Sequence, residues 1–105
     1  MEKALKNVLI KSCNIVMKDS LDRDDTLVLE IEFCGECFSK KVYYILLTIN
    51  LIPLIMKTVY ADSFKDISGK YCRIALDESG NVSELYNIIH SDDFVRLYNF
   101  EVYNQ

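Results

Sequence analysis

The most regular hydrophobic pattern lies between residues 26 and 47. Leu27, Leu29, Ile31 and Phe33 alternate with polar or smaller residues, and a period of two is typical of a half-buried strand. A two-residue turn at Gly35-Glu36, with glycine first, suits a type II′ hairpin. That turn would pair Phe33 with Phe38, Ile31 with Lys40, Leu29 with Val42, Leu27 with Tyr44, Glu30 with Lys41 and Val28 with Tyr43. The pattern therefore predicts a hairpin with one apolar face.

A strand is also predicted over residues 8–17, before a polar loop at 18–25. Its apolar side chains on one face would be Leu9, Cys13, Ile15 and Met17. Residues 50–60 have helical spacing, with Asn50 or Thr48 as the cap and Pro53 in the first turn, where its missing N–H costs nothing. The buried stripe of this helix would consist of Leu51, Leu54, Ile55 and Val59.

A second hairpin is predicted after the helix. Its strands cover 71–76 and 82–89, and Gly80 in the turn at 77–81 suits a left-handed conformation. Ser91-Asp92-Asp93 resembles a helix N-terminus, with a cap and two acids in the first turn. Tyr98, Phe100 and Val102 alternate again, which leaves a last edge strand as an open alternative.

These elements predict one domain over residues 1–105, in the order β-β-β-α-β-β with a short helical turn near the end. Strands grouped around one helix indicate the α+β class, with a twisted antiparallel sheet packed on the main helix. A chain of 105 residues, half of them hydrophobic, suits a single domain with its own core.

Charge changes this picture because it is unevenly distributed. The net charge is −4. Residues 77–105 hold six acidic residues against Arg96 alone, a net charge of −5, and this leaves +1 for the first 76 residues. Direct nucleic-acid binding needs lysine and arginine and is not expected of the acidic part. A basic groove on another protein is a suitable partner, and a solubilising surface is the simpler alternative.

Neither a secretory signal nor a membrane span is expected. Met1-Glu2-Lys3-Ala4-Leu5-Lys6 is not followed by a long apolar segment. The longest apolar stretch, from Val42 to Met56, is short and contains Thr48, Asn50 and Pro53. The sequence therefore predicts a cytoplasmic protein with reduced thiols and no bound metal.

The cysteines allow one alternative. Cys34-Gly35-Glu36-Cys37, together with Cys13 and Cys72, would supply four thiolates for zinc. Strong zinc signals have two C-x-x-C units, however, and here the other two cysteines are isolated. A thioredoxin-like motif would open a helix, whereas this one is at a hairpin tip. Small residues flanking a tight turn are the favoured interpretation.

Two further motifs carry little chemistry. His90-Ser91-Asp92-Asp93 is the only place where histidine meets carboxylates, and no ligands or catalytic partners elsewhere are marked. Gly69-Lys70 resembles the end of a phosphate-binding loop, but Phe64 stands where the upstream glycine belongs and Tyr71 where serine or threonine does. The sequence therefore predicts no cofactor, no catalytic residues and no enzyme activity.

Aromatic residues are numerous, with seven tyrosines and five phenylalanines. Tyr43, Tyr86, Tyr98 and Tyr103 are expected on exposed sheet faces. Tyrosine is favoured at interfaces because it combines area with a polar tip. Ordinary packing within the sheet is the alternative.

The second half of the chain resembles a set of small phage- and prophage-encoded proteins. Their pattern is a helix, then Asp-Leu-x-Gly-Lys-Tyr-x-Arg-Val, a short hairpin, and an acidic segment ending in Trp-Phe. The matching residues here are Leu51, Ile55, Val59, Asp66, Ile67, Gly69, Lys70, Tyr71, Arg73, Ile74, Ile88, Ile89, Asp92, Asp93 and Phe94. The chain departs from the pattern at Phe94-Val95 in place of Trp-Phe. The resemblance covers about residues 26–96, and its motif looks structural.

The resemblance implies an inhibitor of bacterial defence, as in anti-CRISPR proteins, inside an infected or lysogenic host. Such a protein would bind a basic, nucleic-acid-binding groove of a bacterial effector, for example a CRISPR nuclease, through an acidic face. The residues expected on that face are Asp77, Glu78, Glu84, Tyr86, Asp92, Asp93, Tyr98 and Glu101. The alternatives are a small zinc-binding or regulatory module that uses Cys34 and Cys37, and a phage structural or assembly protein. The oligomeric state stays open.

Overall fold

A computed structural model of the chain describes residues 5–35 and 38–102, with the side chain of Phe38 excepted. It confirms the α+β class, because the described residues form a six-stranded antiparallel sheet and one main helix. The elements are β1 (Leu5–Lys18), β2 (Thr26–Gly35), β3 (Phe38–Leu46), α1 (Leu51–Val59), a short 3-10 helix (Phe64–Asp66), β4 (Tyr71–Leu76), β5 (Val82–Asn87) and β6 (Phe94–Arg96). The strand order across the sheet is β3-β2-β1-β4-β5-β6.

The first strand is longer than predicted and changes its buried face part-way along. Val8 and Ile10 are buried in its first half, and Cys13 is buried in its second half. The register with β2 shifts between Ile10 and Ser12, and a β-bulge of this kind inserts one extra residue into a strand. The prediction that Leu9 shares the buried face of Cys13 is therefore wrong.

The hairpin of β2 and β3 forms as predicted, but its register is wrong by three residues. Leu29 lies opposite Ile45, and Ile31 lies opposite Tyr43. An odd shift moves the core face to the other set of side chains on a strand, so Tyr43 and Ile45 are buried in place of Val42 and Tyr44. The observed register joins Leu29 to Ile45 and Ile31 to Tyr43, whereas the predicted one placed Ile31 opposite Lys40.

The other predicted pairs of this hairpin change with the register. The observed pairs are Phe33 with Lys41, Glu30 with Tyr44 and Val28 with Leu46. Gly35, the first residue of the predicted turn, is the last residue of β2 and pairs with Phe38. Glu36, the second residue of that turn, lies outside the described part. Leu27 is 52% exposed and not part of the core. The pairing slips by one residue between Phe33 and Gly35, an irregularity that a simple two-residue turn does not include.

The helix lies where the pattern predicts it. Leu51, Ile55 and Val59 are buried, whereas Leu54 is 42% exposed and lies outside the stripe. Asn50 holds the N-cap position without a side-chain hydrogen bond, and its carbonyl accepts the N–H of Leu54 at 3.0 Å. The helix ends at Tyr60, which has a left-handed backbone with φ 59°.

The segment after α1 attaches the second hairpin to β1. Gly69, at φ 94°, donates its N–H to the carbonyl of Ile10 at 2.7 Å, and Ile10 donates to the carbonyl of Lys70 at 2.8 Å. The hydroxyl of Ser68 donates to the carbonyl of Lys11 at 3.0 Å. A left-handed backbone is easiest for glycine, so the Gly-Lys-Tyr motif has a structural role at the bulge of β1.

The region after β5 contradicts the predicted short helix. Ser91 and Asp92 form a turn that leads directly into β6. Asn87 organises this turn, because its Oδ1 accepts the N–H groups of Ile89 and His90 at 2.9 and 2.8 Å, and its Nδ2 donates to the carbonyl of Thr58 at 2.8 Å. The acids at 92–93 therefore belong to a turn that is tied to the end of α1.

The edge strand left open at 98–102 is represented by an isolated antiparallel bridge between Asn99 and Ile45, and the last strand of the sheet lies just before it. This last strand forms over Phe94–Arg96 and pairs with β5, and the segment 97–102 then crosses to β3. Leu97 donates its N–H to the carbonyl of Ser83 in β5 at 2.9 Å. Leu46 of β3 then donates to Tyr98, and Phe100 donates to Tyr44, at 2.7 and 2.8 Å. The segment 97–102 thus joins the two edges of the sheet.

Two side chains reinforce this closure. The hydroxyl of Tyr43 donates to the carbonyl of Gly80 at 3.2 Å, and Nδ2 of Asn99 donates to the carbonyl of Val82 at 2.8 Å. The core lies inside the closed sheet and against α1. Its largest fully buried side chains are Phe33, Ile10, Leu29, Ile31, Ile45, Leu51, Ile55, Ile67, Ile74 and Leu85.

Candidate partner-binding surface

The acids of the C-terminal part do not lie on one face. Asp77 and Glu78 are in the turn before β5, whereas Asp92 and Asp93 follow the other end of the same strand. Six residues of strand separate these two places by roughly 20 Å. A single acidic surface that includes both pairs is therefore not what the fold provides.

The turn at 77–81 is held by Asp77 itself. Its Oδ1 accepts the N–H groups of Ser79 and Asn81 at 2.9 and 3.0 Å. Gly80 has φ 85°, so the predicted left-handed position is confirmed. Burial and the nearby charge of Asp77 raise the pKa of Tyr43, which is 4% exposed and not on an open face as predicted. Glu78 is exposed beside it.

Glu84 is buried on the outer face of β5, 7% exposed. Its Oε1 accepts the hydroxyl of Tyr86 at 2.7 Å, and its Oε2 lies 3.9 Å from Nε of Arg96. The bond to Glu84 and partial burial raise the pKa of Tyr86. The ring of Tyr86 stacks on Phe94 with centroids 5.2 Å apart. The side chains of Glu84 and Tyr86 are thus engaged mainly with neighbouring side chains of the sheet.

At the other end of β5, Asp93 contacts the end of the helix. Its Oδ2 accepts the hydroxyl of Tyr60 at 3.2 Å. Partial loss of solvent and this hydrogen bond raise the pKa of Tyr60. The ring of His90 lies 6.4 Å from that of Tyr60, and Asp92 is exposed. These residues form a small polar cluster around the end of α1.

A larger acidic surface forms around the crossing segment 97–102. One open depression, with a volume of about 520 Å³, is lined by Asp22, Leu46 and Glu101, and the loop 19–25 forms its far side. A second, of about 660 Å³, shares Leu46 and is lined by Asp77 and Tyr98. We call the surface formed by residues 19–25, 77–81 and 97–102 the acidic groove.

The loop 19–25 has internal hydrogen bonds between its side chains and its backbone. The hydroxyl oxygen of Ser20 accepts the N–H groups of Asp22 and Arg23 at 3.3 and 3.1 Å. Oδ1 of Asp19 accepts the N–H of Asp25 at 2.7 Å. The sequence pattern identified this loop only as polar. Its four aspartates were the signal that it carries charge, but its position beside Glu101 depends on the closure of the sheet.

The cysteines do not converge. Cys13 and Cys72 are buried in the core, and burial raises the pKa of both thiols to about 12. Cys34 pairs with Leu9, on the opposite side of the sheet from those two thiols, while Cys37 lies outside the described residues. Within 5–35 and 38–102, no group of three or more His, Cys, Asp or Glu side chains is placed to hold a metal ion.

Comparisons with family models, with curated proteins and with solved structures gave no match to this chain. The resemblance to small phage proteins therefore stays a prediction. Among the described residues, no helix has the length and apolar character needed to cross a membrane.

Proposed function

We propose that this chain is a non-enzymatic inhibitor that binds a basic, nucleic-acid-binding surface of a bacterial effector through the acidic groove. The observation that supports it most is the convergence of the loop 19–25 and the turn 77–81 on the segment 97–102. These three segments contain seven acidic side chains and Arg23, a net charge of −6. Glu84 and Arg96 also line the second depression, and this pair adds no net charge. A concentration of one sign of charge attracts an oppositely charged partner and accelerates its association.

The groove also offers apolar area beside its charges. Tyr98 is 55% exposed and Leu21 is 83% exposed, and each lines one of the two depressions. Interfaces gain most of their binding energy from a few such anchors, with tyrosine among the favoured residues. Acidic side chains around exposed tyrosine and leucine suit a protein groove that is basic at its rim and apolar in places.

Local order of the loop favours tight binding. Oγ of Ser20 and Oδ1 of Asp19 accept backbone N–H groups of the loop 19–25 and stabilise the conformation described. A pre-ordered surface loses less conformational entropy when a partner binds. Aspartates held in fixed positions are able to occupy sites that otherwise bind phosphate groups.

The target class that we propose is a CRISPR nuclease or a related defence effector in the host cytoplasm. The resemblance of residues 26–96 to small phage proteins supports this choice. Phosphate-binding grooves of such enzymes are positively charged because the nucleic-acid backbone supplies much of their affinity. An acidic protein in that groove would exclude the nucleic acid.

The test is inhibition of purified CRISPR nucleases in a DNA-cleavage assay, with two matched double variants. Asp22→Lys with Glu101→Lys changes two exposed acids of the acidic groove. Asp62→Lys with Asp92→Lys makes the same change in charge at exposed positions outside it. We expect the first variant to lose inhibition by at least about tenfold, since 1.4 kcal/mol of lost interaction has that effect, and the second to inhibit like the parent.

Two results would contradict the proposal. If no nuclease is inhibited by the parent protein, and none is captured by it from a bacterial lysate, the target class is wrong. If only the Asp62→Lys, Asp92→Lys variant loses inhibition, the binding surface is at the other end of β5. Melting curves of both variants separate a binding defect from unfolding.

A further inference from the structure

The second half of β1 has an open edge. On one side β1 pairs with β2 from Leu9 to Lys18, and on the other side with β4 only from Leu5 to Leu9. Ile10 adds two backbone hydrogen bonds to residues 69–70 on that second side. Within 5–35 and 38–102, no backbone hydrogen bond reaches that side of residues 12–18.

The open backbone groups belong to residues whose side chains face inward. Ile10 faces the core, and both its N–H and its C=O point towards the β4 side. Along a strand, the residues whose side chains lie on one face of the sheet all direct their N–H and C=O groups towards the same edge of the strand. The bulge moves the inward face to Cys13, Ile15 and Met17, so these residues supply the free donors and acceptors.

This edge lacks the features that usually keep strand edges apart. From Ser12 to Met17 there is no charged residue, proline or glycine, although monomeric proteins commonly protect an edge with such residues. Ile15 is 47% exposed and Met17 is 57% exposed, and Leu27, opposite Met17, is 52% exposed. A strip of apolar surface therefore runs beside the free backbone groups.

We propose that a second copy of this chain pairs with β1 along this edge, antiparallel and centred on Ile15. The two-fold pairing places Ile15 opposite Ile15 and Cys13 opposite Met17, so apolar side chains meet across the axis. Lys18 comes opposite Ser12 and not opposite the Lys18 of the second copy, so these two ammonium groups do not meet across the axis. Such an interface is self-complementary, as two-fold symmetry requires.

The dimer extends each sheet into that of the second copy. Ile15 and Leu29 lie opposite each other on β1 and β2 within each chain. Pairing of the two Ile15 residues would therefore align Leu29, Ile15, Ile15 and Leu29 across four neighbouring strands. Pairing along a free edge by main-chain hydrogen bonds is an established mode of recognition. The acidic groove is not part of this edge, so the dimer does not depend on the proposed inhibition.

Light scattering over a concentration series tests the dimer. The parent should reach twice the chain mass of 12.2 kDa. Ile15→Lys places a charge on the inward face of the edge and should give the mass of one chain. Leu54→Lys, at an exposed apolar position of α1, should dimerise like the parent. A parent that stays at 12.2 kDa throughout, or an Ile15→Lys variant that still dimerises, would overturn the proposal.

Disulfide trapping tests the register. The two Ile15 residues would form a hydrogen-bonded pair, and such pairs in an antiparallel ladder have Cα atoms about 5.5 Å apart, which suits a disulfide. Ile15→Cys should therefore cross-link two chains on mild oxidation, in a background that carries Cys34→Ser and Cys37→Ser. Asn14→Cys is the matched control, because residues 14 of the two copies would be diagonal neighbours about 7–8 Å apart. Equal cross-linking of both variants, or of neither, would overturn the pairing about Ile15.

Discussion

At the scale of single residues, Phe33 is the clearest anchor of the core. It is fully buried, and its ring lies 6.0 Å from that of Tyr43. Phe33→Ala should lower the free energy of unfolding by roughly 3–5 kcal/mol, because it removes buried apolar area and leaves a cavity. Chemical denaturation measures this loss.

Phe94→Ala is the control for Phe33→Ala. Phe94 is 43% exposed, so the same truncation should cost clearly less there. A loss below about 1 kcal/mol for Phe33→Ala would mean that the site is not closed as described. The expectation that Phe33 is buried came from the alternation of β2 alone and is confirmed.

The thiol of Cys72 makes stability depend on pH in the alkaline range. Burial raises its pKa to about 12 from 9.0. A raised thiol pKa contributes to the stability of the folded state. This contribution is fully present below pH 9 and is lost as the pH rises towards 12. Between pH 8 and pH 10 the loss should be about 1.4 kcal/mol.

The variant Cys72→Ala isolates this effect. Between pH 8 and pH 10, the free energy of unfolding of this variant should fall by about 1.4 kcal/mol less than that of the parent. Urea denaturation at the two pH values gives both slopes. Tyr60 and Tyr86, whose pKa values are also raised, affect parent and variant alike and cancel in the difference. Parallel slopes would contradict the burial of this thiol.

At the scale of elements, Asn87 connects the helix to the second hairpin. Its side chain binds the carbonyl of Thr58 and two N–H groups of the turn after β5. Asn87→Ala should destabilise the fold by roughly 1–3 kcal/mol, because the buried carbonyl of Thr58 is left without its partner. Denaturation measures the cost, and Asn14→Ala, at an exposed position, should change stability little.

The elements show where sequence patterns succeed and fail. The helix at 51–59 and the strand at 71–76 were predictable because their signals are local: a helical stripe with Pro53 in the first turn, and alternation after Gly69. The short helix at Ser91 was wrong because a serine followed by two acids is also compatible with a turn. The decisive contact is the one from Asn87 to Thr58, 29 residues away in the chain.

The predicted register of the hairpin formed by β2 and β3 was wrong for a related reason. The prediction took Gly35-Glu36 as the turn, but Gly35 is the last residue of β2. One irregularity near the tip then changes every later pair on β3. The register depends on which apolar side chains meet the core from both strands, and Tyr43 meets it together with Gly80 of another hairpin. That contact is not visible in the alternation of β3 alone.

At the scale of the whole molecule, closure of the sheet determines which charges lie together. The acids at 77–78 and Glu101 were expected on one face, and the structure brings them to the acidic groove. It also adds the loop 19–25, which no local pattern places there, and it separates Asp92 and Asp93 from the groove. Distances of this kind depend on strand order and closure, and neither follows from composition.

The acidic groove predicts how binding depends on salt. Attraction between exposed charges is screened over roughly 8 Å at physiological ionic strength, and steering acts mainly on the association rate. Surface plasmon resonance against an inhibited nuclease, over a series of salt concentrations, should therefore show an association rate that falls steeply while the dissociation rate changes less.

The two double variants make this measurement specific. The variant Asp22→Lys with Glu101→Lys should associate more slowly and show a shallower salt dependence, because it removes two of the attracting charges. The variant Asp62→Lys with Asp92→Lys has the same net charge, so any effect of overall charge alone would appear equally in both. If the two variants show the same salt dependence, the net charge of the molecule steers association and the acidic groove has no special part in it. A lower association rate and a shallower salt dependence in the first variant than in the second would assign the steering to the groove, because only the position of the charges differs between the two.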